Sequence, residues 1–357
     1  MLIKFTFFRT SCQLRKTALT ALFVGIIFAG IMWINPDPSS GVPLFRLKPK
    51  KSSVLIGAYD TKFVNGEYVF ERVIGRRVAV INSFQAWSRK NRKRNYFDRD
   101  WVNFAKALHA NGQVLMVTWE PWNVARSYDF NQPRFRLKTI IDGKHDRYMK
   151  RWFRQVRNTR QPIFVRFAHE MNGEWYPWGT HVNSTRDYIK AWRHVVNLSR
   201  KVGARNITWV WAPNVTMPRD QIKKLFPGKK WVDWVGTSGY NWGGSGRDWT
   251  GWHSARKIFG PTLAILKKYK KPIMIAEMGS RENPEPNHPT RRSKAWWIKQ
   301  AYNYLKNPDL RVRLVLYQNV RADRTYDWRV TTSRASKRDI KRVLSESIFQ
   351  GMFKTRP

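Results

Sequence analysis

Residues 53–350 predict one α/β domain, a single (β/α)₈ TIM barrel. Three observations carry the prediction. Eight short runs, rich in β-branched and aromatic residues, are apolar almost without interruption, as strands buried on both faces of a parallel sheet are. Stretches with helical spacing lie between most of them. No glycine-rich phosphate loop follows the first run, so an open doubly wound sheet lacks support and the closed barrel remains.

The runs in order are VLIGAYD (54–60), RVAVINSF (77–84), QVLMVTWEP (113–121), PIFVRFAHEMNG (162–173), ITWVWAPN (207–214), WVDWVGTSGYNW (231–242), KPIMIAEMGS (271–280) and VRLVLYQNV (312–320). Helical patterns occupy 98–111, 145–159, 184–203, 254–270, 289–306 and 335–349. The clearest is 186–202, where Tyr188, Trp192, Val195, Val196 and Ser199 share one side and Gly203 ends the helix.

Ahead of the domain, Lys4, Arg9, Arg15 and Lys16 precede an uncharged run from Thr17 to Ile34. As a helix this run reaches roughly 27 Å, close to the thickness of a bilayer core. The basic flank places the N-terminus in the cytoplasm. Ile31, Met32, Trp33 and Ile34 continue the apolar run past Ala29-Gly30. Residues 1–34 therefore read as an uncleaved anchor, with a cleaved signal peptide as the alternative. Residues 35–52 hold four prolines and no periodicity, the mark of a linker. The domain is expected outside the cytoplasm, membrane-anchored by that helix or else secreted. Cys12 is the one cysteine, so no intrachain disulfide forms; a core of this size needs none.

Composition excludes disorder: 42% of the 357 residues are hydrophobic and 25% charged. The charge balance is unusual, with 67 Lys+Arg against 24 Asp+Glu and a net of +43. A surface that basic attracts polyanions, here an anionic membrane or an acidic cell-envelope glycan. A nucleic-acid partner is not expected, because the basic residues are spread through the helical stretches and the N-terminal segment directs the domain outward. The 19 tryptophans exceed what a core needs and suggest platforms for flat ligands such as sugar rings.

A barrel of this kind carries its chemistry where the strands end. The polar and aromatic residues ending the runs are Asp60; Trp119 and Glu120; Arg166, His169, Glu170, Asn172, Glu174, Trp175 and Trp178; Trp211 and Asn214; Tyr240, Asn241 and Trp242; Glu277; and Tyr317, Gln318 and Asn319. This set has neither the Cys/His spacing of a zinc site nor a nucleophilic-serine elbow, and no cofactor is called for. Carboxylates among indoles fit the cleavage of glycosidic bonds, where one carboxylic acid protonates the leaving oxygen and a second carboxylate attacks. A single Glu after a strand is more often a helix-end charge or a salt-bridge partner. Glu170, crowded in HEMNGEW, and Glu277, directly after PIMIA, stand out because both leave the barrel at one mouth.

VRFAHEMNGEWYPWG (165–179) closely resembles the fourth-strand signature of glycoside hydrolase family 26, a family of β-mannanases, mixed-linkage β-glucanases and β-1,3-xylanases. IAEMGS (275–280), VWAPN (210–214), GTSGYNWG (236–243) and DWRV (327–330) resemble its later segments. The resemblance covers residues 54–350. It implies a retaining endo-β-glycanase acting on β-1,4-linked polysaccharide, β-mannan first and mixed-linkage β-glucan or an exopolysaccharide as alternatives. It further implies that Glu170 is the acid/base, Glu277 the nucleophile, Tyr240 a hydrogen-bond donor to that nucleophile and His169 a contact to the sugar at the cleavage point. The eighth run reads LYQNV where the family often has aromatic residues, so the subsite beside the scissile bond is expected to differ. A non-catalytic glycan-binding barrel is the alternative of another class; the presence of both glutamates argues against it.

Overall fold

A computed structural model describes residue 47 and residues 52–353, apart from 90–92, 128, 216–218, 245–250, 284–289 and 324. The expected membrane segment and most of the linker lie outside the described residues. Among the described residues, no helix is long and apolar enough to cross a membrane.

Eight parallel strands close on themselves: β1 Val54–Asp60, β2 Val80–Ser88, β3 Val114–Asn123, β4 Ile163–Phe167, β5 Ile207–Trp211, β6 Trp234–Asn241, β7 Ile273–Ser280 and β8 Val312–Asn319. Each pairs with the next, and β8 pairs back onto β1 from Leu314↔Leu55 to Asn319↔Asp60. Outside lie α1 Val69–Ile74, α2 Arg99–Ala110, α3 Leu137–Ile141, α4 Asp146–Thr159, α5 Thr185–Lys201, α6 Arg219–Lys224, α7 Ala255–Leu266, α8 Lys294–Leu305 and α9 Arg334–Leu344. The expected barrel is therefore present. Serine caps start α5, α7, α8 and α9 by accepting from backbone N–H groups in the first turn.

Successive strand residues face opposite sides of the sheet, and two cores result. Leu55, Val80, Met116, Phe164, Val210, Trp234, Met274 and Leu316 fill the lower barrel. Their outward neighbours, with the apolar helix stripes, form the larger outer layer. The same alternation corrects three expectations. Trp119, Trp211 and Tyr317 sit one residue off the inward set and point out of the barrel. Trp119 stacks on Trp152 at 4.2 Å, Trp211 packs against Phe226 and Tyr269, and Tyr317 stacks on Phe70. All three are fully buried core residues and cannot meet a ligand at the mouth.

The fourth apolar run also ends sooner than its hydropathy suggests. β4 stops at Phe167 because Ala168 (φ 40°) and Glu170 (φ 52°) adopt left-handed backbone. Outside glycine that conformation costs about 1–2 kcal/mol per residue. Arg160, Lys270 and Arg311 share it, each ending a helix or helical turn where glycine is the usual choice.

Candidate active site

Glu277 reaches the mouth through an irregularity in β7. Met274 and Ala276 face inward and Ile275 and Met278 outward, so strict alternation would send Glu277 toward the helices. Instead the pairing with β6 slips by one residue between Thr237↔Ile275 and Ser238↔Glu277. This β-bulge puts Ala276 and Glu277 on the same side, and bulges next to functional sites commonly re-aim a side chain in this way.

The Glu277 carboxylate is held from two directions. Arg166 Nη2 donates to Oε1 and Tyr240 Oη donates to Oε2, both at 2.5 Å. Arg166 comes from the inward face of β4 and is itself locked. Its Nε and Nη2 donate to Thr118 Oγ1, its Nη1 donates to Ser238 Oγ, and its guanidinium lies over Phe84. Tyr240 in turn stacks on Trp328, with ring centroids 4.9 Å apart. Charge-assisted bonds of this kind fix direction as well as energy.

Glu170 sits where the left-handed turns after β4 carry the chain over the barrel. Its backbone N–H donates to the Ala212 carbonyl, and Trp175 Nε1 donates to its Oε2 at 2.9 Å. Burial, then the charge of Glu277, raise its pKa to about 7, against the opposing pull of Arg166, Asn214 and Trp175. One oxygen of Glu170, one of Glu277 and a ring nitrogen of His169 lie within 4.8 Å of one another. A metal ion could draw on those three atoms, but it would compete with the Arg166 guanidinium already on Glu277 Oε1.

His169 packs beside the stacked pair Tyr176 and Trp178, with Nε2 3.9 Å from Glu277 Oε1 and a buried Nδ1 that has no protein partner. Burial and Arg166 lower its pKa well below the usual range, so the ring is neutral. A third carboxylate, Glu120, projects inward from β3 and accepts from Trp122 Nε1. Burial raises its pKa to about 8. Trp175 and Trp242 are partly exposed at the rim.

Two further expectations change. Trp178 is fully buried; its indole donates to the His169 carbonyl and its ring stacks on Tyr176, so it shapes the loop from beneath. Asn172 exchanges hydrogen bonds with the backbone of Asn214 and ties β4 to β5 instead of facing the mouth.

A family model for glycosyl hydrolase family 26 matches residues 54–281. The chain belongs to glycosyl hydrolase family 26. Endoglucanase H of Acetivibrio thermocellus is 31% identical over 271 residues, 74% of this chain and 27% of that protein. A mannan endo-1,4-beta-mannosidase of Bifidobacterium adolescentis is 32% identical over 42% of this chain and 17% of its own length. The chain thus spans about a quarter or less of these curated relatives. A family 26 β-mannanase structure from Bacteroides ovatus superposes with a TM-score of 0.65 at 18% identity, covering 85% of this chain and 94% of that one. That likeness carries the fold.

Within the family 26 barrel, several residues take roles that the sequence did not assign to them. Arg166 reads as one more base in a strand, yet it is the buried cation on Glu277. Trp328 follows β8 in the loop DWRV and meets Tyr240, Trp242 and Tyr326. It supplies an aromatic wall from outside the strand, whereas the eighth run's own Tyr317 faces away. Lys294, fully buried at the start of α8, donates to the carbonyls of Asp327 and Arg329 and to Thr332 Oγ1, and so pins that loop.

Proposed function

We propose that the protein is a retaining endo-β-glycanase that hydrolyses a β-1,4-linked polysaccharide, with β-mannan as the first substrate to test. The carrying observation is the Glu170–Glu277 pair: oxygens within 4.8 Å, one carboxyl raised to about 7 and the other clamped by Arg166 and Tyr240. That closeness supports a retaining pair, whose carboxyl groups stand nearer together than those of an inverting one. Glu277 attacks the anomeric carbon while Glu170, protonated, delivers its proton to the leaving oxygen. A glycosyl–enzyme ester forms, and Glu170 then deprotonates the water that resolves it. The net charge of +43 does not defeat the acid, because burial and Glu277 outweigh Arg166 at Glu170. His169, neutral, offers Nδ1 to a sugar hydroxyl, and Trp175 and Trp242 offer ring faces.

A glucan is the second reading. A relative named an endoglucanase aligns over 74% of the chain, further than the 42% aligned with a mannan endo-1,4-beta-mannosidase. Both readings place the domain outside the cytoplasm on the N-terminal anchor. The test is a product profile on β-mannan, lichenan and carboxymethyl cellulose, with the anomer followed by NMR. Wild type should release the β-anomer first and Glu277→Ala should be inactive. Release of the α-anomer would remove the covalent mechanism.

A further inference from the structure

Basic residues cover both ends of the barrel. At the mouth the buried carboxylates of the site, Glu120, Glu170 and Glu277, lie within a rim that carries Asp60 at the end of β1, Glu174 and Asp327 on the loops, and the exposed bases Lys62, Arg126, Arg134 and Arg321. The opposite face is formed by the turns that lead from each helix into the next strand. It presents Arg160, Arg205, Lys230, Lys268, Lys270 and Arg311, all exposed. The acids there are few. Asp233 is half-buried and accepts from the Trp209 N–H, Glu346 is paired with Lys306, and Asp309 is exposed in the turn before β8. Basic residues do suit helix C-termini through the helix dipole. That preference does not explain Arg160, Lys270 and Arg311, which hold left-handed backbone where glycine would be relaxed. Charge is kept at these turns against the backbone.

The chain enters the domain on this same face. Leu47 packs on the lower barrel core, and its carbonyl accepts from Nε1 of Trp234, the first residue of β6. The uncharged run ends at Ile34. The intervening residues reach at most about 45 Å when fully extended. Whatever the run is embedded in therefore stays within reach of the basic face, and the mouth opens on the far side.

We propose that the strand-entry face of the barrel is a docking surface for anionic lipid headgroups, which holds the domain against the bilayer with its mouth turned outward. The proposal rests on the anchor reading above, and it commits to lipid over an acidic glycan because the tether delivers this face to the bilayer. Several basic side chains on one flat face act together once one end is tethered.

The test uses the full chain with Cys12→Ser, carrying a fluorophore at Asn158→Cys on the basic face or at Thr61→Cys beside the mouth. The chain is reconstituted in vesicles of phosphatidylcholine with or without phosphatidylglycerol, with a headgroup-attached quencher. On anionic vesicles the label at position 158 should be quenched several-fold more than the label at position 61, and high salt should abolish the difference. The variant Arg160→Gly/Lys270→Gly/Arg311→Gly should lose most of this quenching while melting at a higher temperature, since it relaxes three strained turns. Equal quenching on neutral and anionic vesicles, or no change in the glycine variant, overturns the proposal. Displacement of the label from lipid by a soluble acidic polysaccharide also overturns it, in favour of a glycan partner. Flotation with vesicles at high salt reads the anchor separately. A chain that floats only at low salt loses its anchor, while the quenching still decides the face.

Discussion

Trp175→Phe tests the acid/base assignment without touching a reacting group. In the native protein the Trp175 indole N–H donates to Glu170 Oε2 at 2.9 Å. That bond favours the ionised carboxyl and so lowers a pKa that burial and Glu277 have raised to about 7. A hydrogen bond to a charged group contributes about 1.5–3 kcal/mol, and the protonated acid retains part of it as a neutral bond of about 0.5–1.5 kcal/mol. The difference, about 1 kcal/mol, corresponds to roughly 0.7 of a pH unit. The sign follows from the role. A general acid must be protonated, so kcat/KM falls as pH rises through the Glu170 pKa, and removing the donor moves that alkaline limb upward. The assay is kcat/KM against pH on a soluble mannan or glucan. Loss of the indole's contact with the glycan changes the height of the profile, whereas the pKa sets its shape. An alkaline limb that stays in place or moves to lower pH would refute the assignment of Glu170.

Other substitutions separate site from scaffold. Glu120 and Glu170 have folded pKa values raised to about 8 and about 7. Their contribution to stability is complete below the ordinary glutamate range and is lost as pH rises through those values; Glu120→Gln should therefore raise the melting temperature more at pH about 9 than at pH about 5, and equal effects at both would contradict the burial argument. Lys294→Met leaves two carbonyls and a hydroxyl without their donor, at about 1–3 kcal/mol each when buried. A fall of about 5–10 °C in melting temperature with a raised KM is expected; an unchanged KM would detach Trp328 from substrate binding. Trp119→Ala should cost about 3–5 kcal/mol of stability in thermal unfolding, whereas Trp242→Ala should melt near wild type and bind glycan more weakly. The reverse pattern would place the mouth elsewhere.

Much of this was legible in the sequence, and three of the failures share one cause. The barrel came from eight apolar runs because strands buried on both faces leave that pattern whatever the local irregularities. Glu170 and Glu277 came from their crowded neighbourhoods at strand ends. Hydropathy does not record which face a residue takes, however, so Trp119 and Glu120 looked equally available although they point in opposite directions. Alternation counted from the inward residues of each strand would have removed Trp119, Trp211 and Tyr317. It would also have removed Glu277, because nothing in PIMIAEMGS announces a bulge. Arg166 stood out at the end of the fourth run but, as one of 67 basic residues, carried no sign of its role, and Trp328 was obscured by lying beyond the last strand.

The return of β8 onto β1 sets a condition on synthesis. Until residues 312–319 arrive, β1 and β7 each present a row of unpaired backbone groups. The stretch 54–281 that carries the family match contains seven of the strands and both glutamates, but as an isolated piece it would have two open flanks of the kind that recruit other chains. A ribosome-bound intermediate of this protein thus passes through a stage in which Glu170 and Glu277 are already made and its sheet cannot yet protect itself. Chains ending short of Asn319 should be recovered as aggregate or not at all.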